Sequence, residues 1–245
     1  MIGHLAELRA RLLRGLLYAA VGTTLAWIYY EWIYRLLSAP VIGPLKEIGG
    51  EMTFRSVLEP FMVRVAISLV CGLILASPLI YYEFWAFVAP GLTRSERRAA
   101  RPLVPVSGVL FLMGVATGYW ITGPSVAWLL HYKPPDTEAL LTLNDTLLLL
   151  LKLYIAFGLA FQLPIVLVLL ATIGIVNSRL LISRWREAVV GAFLVAAIIT
   201  PTWDPIIMTV AALPMAFLYL GTIGAVKVIE GRRARAEHKE HSLAG

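Results

Sequence analysis

Charge is scarce in this chain of 245 residues. Asp, Glu, Lys and Arg make up 15% of it, where a soluble globule carries about a quarter. With 59% hydrophobic residues and a mean hydropathy of +0.79, the chain lacks the polar side chains to cover a water-facing surface. The same figures exclude intrinsic disorder, because apolar burial on this scale offsets the entropy of ordering a chain. Cysteine is almost missing. Cys71 stands alone, which excludes an intramolecular disulfide and a set of thiolate metal ligands. Its place beside Val70, Gly72 and Leu73 makes it a small core residue rather than a nucleophile.

Catalytic motifs are absent as well. The chain has no G-x-x-x-x-G-K-[ST] loop to cradle phosphates, no H-E-x-x-H and no G-x-S-x-G turn. The four histidines, His4, His131, His238 and His241, are too scattered to hold a metal. The expectation is a non-enzymatic protein with no cofactor and no metal.

What is present is a set of six apolar runs limited by charges. They cover residues 15–30 (extended by Trp32 and Tyr34), 65–82 (continuing past Glu83 to Val88), 103–132, 153–178, 188–203 and 206–226, the last interrupted by Pro214. A hydrocarbon core about 30 Å thick needs roughly 20 apolar residues in a helix, so the reading is an all-α membrane protein with six transmembrane helices. The fifth run is the exception. At 1.5 Å per residue it covers only about 24 Å and is expected to fall short of a full crossing. Arg9, Arg11 and Arg14 before the first run resemble the basic start of a signal peptide. The apolar stretch is too long and no small-residue cleavage site follows, so it is kept as a helix. Trp27, Tyr29, Tyr30, Trp32 and Tyr34 read as an aromatic belt at its outer end.

Basic residues orient the runs, because Lys and Arg stay on the cytoplasmic side. Fifteen of the twenty-one fall before the first run, between the second and third, between the fourth and fifth, and after the sixth; the alternate loops hold four. Both termini are therefore expected in the cytoplasm. The net charge of +6 reflects this inner face and the acidic lipid beside it, not nucleic-acid binding. Residues 35–60 form the longest outer loop, broken into turns by Pro40, Gly43, Pro44 and Gly49-Gly50; this loop and the one carrying Pro134-Pro135 are expected to form an ordered outer cap. Residues 1–230 read as one transmembrane domain and 231–245 as a flexible charged tail.

Two short cytoplasmic segments carry patterned charge. In HLAELRARL, Leu5, Leu8 and Leu12 share a stripe and Glu7 can pair with Arg11 at i,i+4. In FVAPGLTRSERRAARP, Thr93 and Glu96 have the spacing of a capping box, which would close the start of the third helix. No charge lies at the centre of any run, and the most central polar side chain is Gln162. A glutamine in lipid leaves its amide unpaired, so it should face another helix, of this chain or of a partner. Pro164 beside it should kink the fourth helix. Asp204 precedes Pro205, the pattern of an N-cap followed by proline at the first helical position.

Taken together, HLAELRARL, the APxxxPL pattern at 39–45, SPLIYYEFWAFVAPGLTRSERR, KLYIAFGLAFQLP and TPTWDPIIMTVAALPM resemble, in order and over nearly the whole chain, the TatC family, the multispanning core subunit of the twin-arginine protein translocase. The resemblance implies a glove-shaped six-helix bundle with short fifth and sixth helices in the bacterial inner membrane. It implies recognition of paired-arginine signal peptides through Glu7, Arg9, Phe87 and Glu96, and export of folded proteins driven by the proton-motive force. It also implies single-span partners of the TatA and TatB type docked at Gln162 and Thr200, several copies per receptor complex, and structural roles for Pro40 and Asp204. The chain departs from the family's pattern at Gln162, where some relatives have a carboxylate, at Met208, and at Glu83, where the family often has glutamine. Pairing of Glu83 with a cytoplasmic arginine is expected. A rival reading, a secondary transporter for a small solute, requires a polar midplane cavity between broken helices.

Overall fold

The computed structural model describes the backbone of residues 2–200 and 204–244, and the side chains among these except at 2–5, 95 and 232–245. The described residues are helical apart from one short ribbon and the connecting turns. Helix α1 (Ile2–Ile28) bends by 82° at Tyr29 into α2 (Tyr30–Glu47), and a strand β1 (Glu51–Thr53) leads to α3 (Glu59–Val88). A 3-10 turn at Ala89–Gly91 and the short α4 (Arg94–Ala100) precede α5 (Leu103–His131). Strand β2 (Leu140–Thr142), α6 (Leu143–Ala160), α7 (Leu163–Thr172), α8 (Ser178–Ser183), α9 (Trp185–Ile199) and α10 (Pro205–Ala244) follow. Among the described residues, four helical segments are long and apolar enough to cross a membrane, Glu59–Gly91, Glu96–His131, Leu143–Thr172 and Pro205–Gly231. The bent α1–α2 pair makes five. The fifth apolar run falls on α9, whose 15 residues reach about 22 Å. Trp203, its expected outer end, lies outside the described residues.

The sixth helix, expected to be short, is long: α10 supplies the 27-residue segment Pro205–Gly231, because Pro214 is accommodated within the helix and does not end it. Two further expectations need correction. The first run does not continue straight through Trp32 and Tyr34; it turns at Tyr29, because Arg64 of α3 grips both sides of the corner. Its guanidinium lies 4.6 Å from the Trp27 ring centre and 4.9 Å from that of Tyr30. Its Nη2 donates to the Trp27 carbonyl at 3.3 Å, a group deprived of its ladder partner by the bend. Arg64→Met is expected to relax this corner. Spin labels at Gly15 and Gly43, both with open space around them, should then move apart by about 5 Å as the two arms straighten; an unchanged distance would show that the corner holds itself.

Pro40 and Pro44 do not break residues 35–60 into turns, since both lie inside α2. Ile33, Leu37, Val41 and Leu45 recur every fourth residue and are all buried, and that anchored stripe outweighs the two ladder bonds that the prolines forfeit. The chain turns later, at Gly49 with φ of 71° and at Gly50, where an added Cβ would lie 2.5 Å from Leu45 Cδ1 and 2.7 Å from the Ala139 carbonyl. The two loops meet there: β1 and β2 pair in parallel with Met52 opposite Leu141. Glu59 fastens the same end, accepting from the backbone N–H of Arg55 at 2.7 Å and of Asn144 at 2.8 Å.

Glycine sets the helix crossings. At Gly22 and Gly72 the backbones of α1 and α3 touch, so that a Cβ on Gly72 would lie 2.4 Å from Thr23 Cα. The α5–α6 crossing is similar: a Cβ on Gly114 would lie 2.5 Å from the Phe157 carbonyl. The main core gathers Ala26, Val63, Ile67, Leu147, Tyr154 and Phe157. A second cluster around Trp85, Leu103, Ile165 and Val226 lies toward the arginine-rich end.

Candidate functional site

The arginine-rich end is built from the start of α1, the end of α3 and α4. Glu7, Arg11 and Arg14 follow one another at helical spacing along α1, and the stripe faces Glu83, four residues before Phe87 on α3. Arg11 reaches Glu7 Oε1 with two nitrogens, Nη2 at 2.6 Å and Nε at 3.1 Å, and places Nη1 3.3 Å from Glu83 Oε2. Arg14 Nη1 takes the other oxygen of Glu83 at 3.1 Å. The Glu83 side chain is only 5% exposed, whereas Glu7 is 32% and Arg14 49% exposed. A buried carboxylate is tolerated when its oxygens meet cations. Both the Glu7–Arg11 pair and an arginine partner for Glu83 are thus readable in the sequence, although which arginines serve Glu83 is not.

The other expected signal-binding residues lie on the same elements, α1, α3 and α4. Arg9 is exposed on α1, and Phe87 is half-buried in the last turn of α3. Glu96 sits in the expected capping box: its Oε2 accepts from Thr93 N–H at 2.9 Å, and its own N–H donates to Thr93 Oγ1. The box closes α4 and with it the start of the membrane segment Glu96–His131, in which a turn at Arg101-Pro102 leads from α4 into α5. Around Glu96, Arg94, Arg97, Arg98 and Arg101 are exposed. A cleft of about 240 Å³ between Tyr82, Trp85, Ala86, Leu92 and Arg97 joins the end of α3 to α4.

Gln162 occupies the break between α6 and α7, where Pro164 was expected to interrupt the helix. Its Nε2 donates to the Ser107 carbonyl of α5 at 2.8 Å. The Ser107 hydroxyl accepts from Trp85 Nε1 at 3.2 Å and donates to the Val104 carbonyl. Three helical segments are thereby joined through one serine, so the glutamine faces a helix of its own chain. Thr200 is buried and returns its hydroxyl to the Ala196 carbonyl at 2.8 Å. Asp204 has the capping geometry, with Oδ1 accepting from Ile206 N–H at 3.0 Å ahead of Pro205.

Two structural residues escaped sequence reading. Arg64 directly precedes the second apolar run, and only the three-residue spacing of Trp27 and Tyr30 points to its seat. Glu230 looked like the edge of the tail, yet it accepts from both the backbone N–H and the hydroxyl of Ser178. With Tyr219 donating to the Leu181 carbonyl at 2.8 Å, it fastens α8 to α10.

These features define a polytopic helical membrane protein that gathers acidic side chains among arginines at one end, with a polar junction inside the bundle. The family profile described as "Sec-independent protein translocase protein (TatC)" matches residues 3–214. The chain is 34% identical over 238 residues to TatC of Desulforapulum autotrophicum, covering 97% of this chain and 87% of that one. It is 36% identical over 226 residues to chloroplastic TATC of Arabidopsis thaliana, covering 92% and 65%. Among solved structures, the twin-arginine translocase receptor TatC crystallised in DDM superposes with a TM-score of 0.73 at 33% identity, covering 90% of this chain and 97% of that one. The chain belongs to the TatC family and is a component of a Sec-independent protein translocase.

Proposed function

We propose that this chain is the signal-binding core of a twin-arginine translocase, lying in a bacterial inner membrane with both termini in the cytoplasm. Glu7 and Glu96 receive the paired arginines of the signal, Arg9 and Phe87 line the same surface, and Phe87 offers apolar and cation–π contact. TatA-type and TatB-type single-span partners assemble at Gln162 and Thr200, and several copies of the chain share one receptor complex. The proton-motive force drives export of folded cargo. Residues 1–230 act as the membrane unit and 231–245 as a charged cytoplasmic tail.

The observation that supports this reading best is the grip of Glu7 on a guanidinium already in the chain, at the end where the basic residues collect. It is the contact that a signal arginine needs. A solute transporter finds less support: the grooves of about 970 and 520 Å³ are lined mainly by residues such as Leu110, Ile165, Leu218, Leu25, Trp32 and Leu112, and Gln162 is engaged with Ser107.

Photo-crosslinkers placed at 7, 96 and 237 test the proposal. Positions 7 and 96 are expected to capture a paired-arginine signal peptide and position 237 is not. Equal capture at all three would remove the assignment, and labelling by a free solute instead would favour transport.

A further inference from the structure

The Glu7 seat is already occupied. Arg11 presents to Glu7 two nitrogens on one oxygen, and its third nitrogen rests on Glu83. We infer that Arg11 is an internal competitor for the carboxylate that takes the signal arginine, and that Glu83 is the second seat to which Arg11 withdraws when the signal binds. The inference rests on the proposed role of Glu7 and adds residues to which that reading assigns no part.

The geometry favours exchange at Glu7 rather than at Glu83. Arg11 straddles both carboxylates, so its transfer needs side-chain rotation and no movement of α1. Glu83 is nearly sealed and has to keep cationic partners, because an uncompensated buried carboxylate is costly. Glu7 is the more exposed of the two and stands within reach of a peptide at the surface. Arg14 holds the far oxygen of Glu83 through one contact from a half-exposed position. It is the member that can slacken when Arg11 swings wholly onto Glu83. A signal guanidinium enters at Glu7 by such a rearrangement.

Competition of this kind scales the apparent affinity by the fraction of time that Glu7 is open. If Arg11 holds Glu7 about nine-tenths of the time, the dissociation constant of any arginine signal is raised about tenfold. Removing Arg11 should therefore tighten binding, although Arg11 is the direct neighbour of the site. Lysine at 11 keeps the charge but loses the two-nitrogen grip, so it separates competition from long-range repulsion between cations.

The test measures binding of a synthetic paired-arginine signal peptide to the full chain in nanodiscs, with thermal melting to confirm folding. Arg11→Lys is expected to tighten binding about threefold and Arg11→Gln about tenfold. Arg98→Gln, which removes an equal charge from α4, should change it less than twofold. Glu83→Gln should weaken binding about threefold in the native background and have no effect beside Arg11→Gln. Binding that is unchanged or weaker in both Arg11 variants overturns the inference, as does an equal gain from Arg98→Gln. Glu7→Gln distinguishes the two levels. If it leaves binding intact, the proposed seat itself is wrong; if it weakens binding while the Arg11 variants bind as the native chain does, only the competitor is.

Discussion

Gly72→Leu is expected to yield almost no folded protein. A Cβ at this position would lie 2.4 Å from the Cα and N of Thr23 and 2.7 Å from the carbonyl carbon of Gly22. These are backbone atoms of α1, so no side-chain rotation relieves the clash. Overpacking a well-packed core costs about 1–3 kcal/mol when side chains give way, and here a whole helix has to move. Displacing α1 also draws Arg11 and Arg14 away from Glu83 and disturbs the corner at Arg64. Gly72→Ala should already lower the melting temperature clearly, because the Cβ alone makes the clash. Gly191→Ala on α9, where nothing lies within 4 Å of the added atom, should be silent. Monodisperse yield on size exclusion and thermal melts of the three variants decide the matter. A Gly72→Leu protein that melts like the native chain would falsify the crossing.

Glu7→Gln is expected to weaken a paired-arginine signal peptide about tenfold, the second large effect. Hydrogen bonds to charged groups contribute about 1.5–3 kcal/mol, and each 1.4 kcal/mol corresponds to about tenfold in affinity. The low end applies, because Glu7 is about one-third exposed and already solvated in part by Arg11. Glu96→Gln should cost less, several-fold, since Glu96 also accepts from the Thr93 N–H. Glu31, 87% exposed at the other end of α1's bend, serves as the charge control and should be neutral. The sharper comparison changes the peptide. With both arginines replaced by lysine, native binding should fall by a similar factor, and Glu7→Gln should then add little, because a point charge does not use the planar fork. If losses from peptide and protein simply add, Glu7 is not the arginine seat.

Particular residues show how much of this was legible beforehand. The Glu7–Arg11 pair and the Thr93–Glu96 box rest on spacing within one helix, and spacing is a property of sequence. The box closes α4, where the membrane segment Glu96–His131 begins, so local spacing places that start but not the turn at Arg101-Pro102 inside it. Pro40 and Pro44 misled instead. Proline is a strong local signal, yet the buried stripe of Ile33, Leu37, Val41 and Leu45 kept α2 intact. Gln162 was known to require a partner. Its partner, the Ser107 carbonyl fifty-five positions away, became visible only when α5 and the α6–α7 break were laid together.

Sequence alone therefore determined the membrane setting, the apolar runs, the short α9 and the acids at the arginine-rich end, because each depends on composition or on neighbours a few residues apart. The tertiary structure alone decided the turn at Tyr29, the contact of Gly22 with Gly72, and the choice of Arg11 and Arg14 as partners of Glu83. Those depend on which distant backbones approach closely enough to touch, and no local propensity encodes that distance. Scarce charge, spread along the chain, becomes a site only where the crossing of α1 and α3 brings Glu7, Arg11, Glu83 and Arg14 within hydrogen-bonding reach.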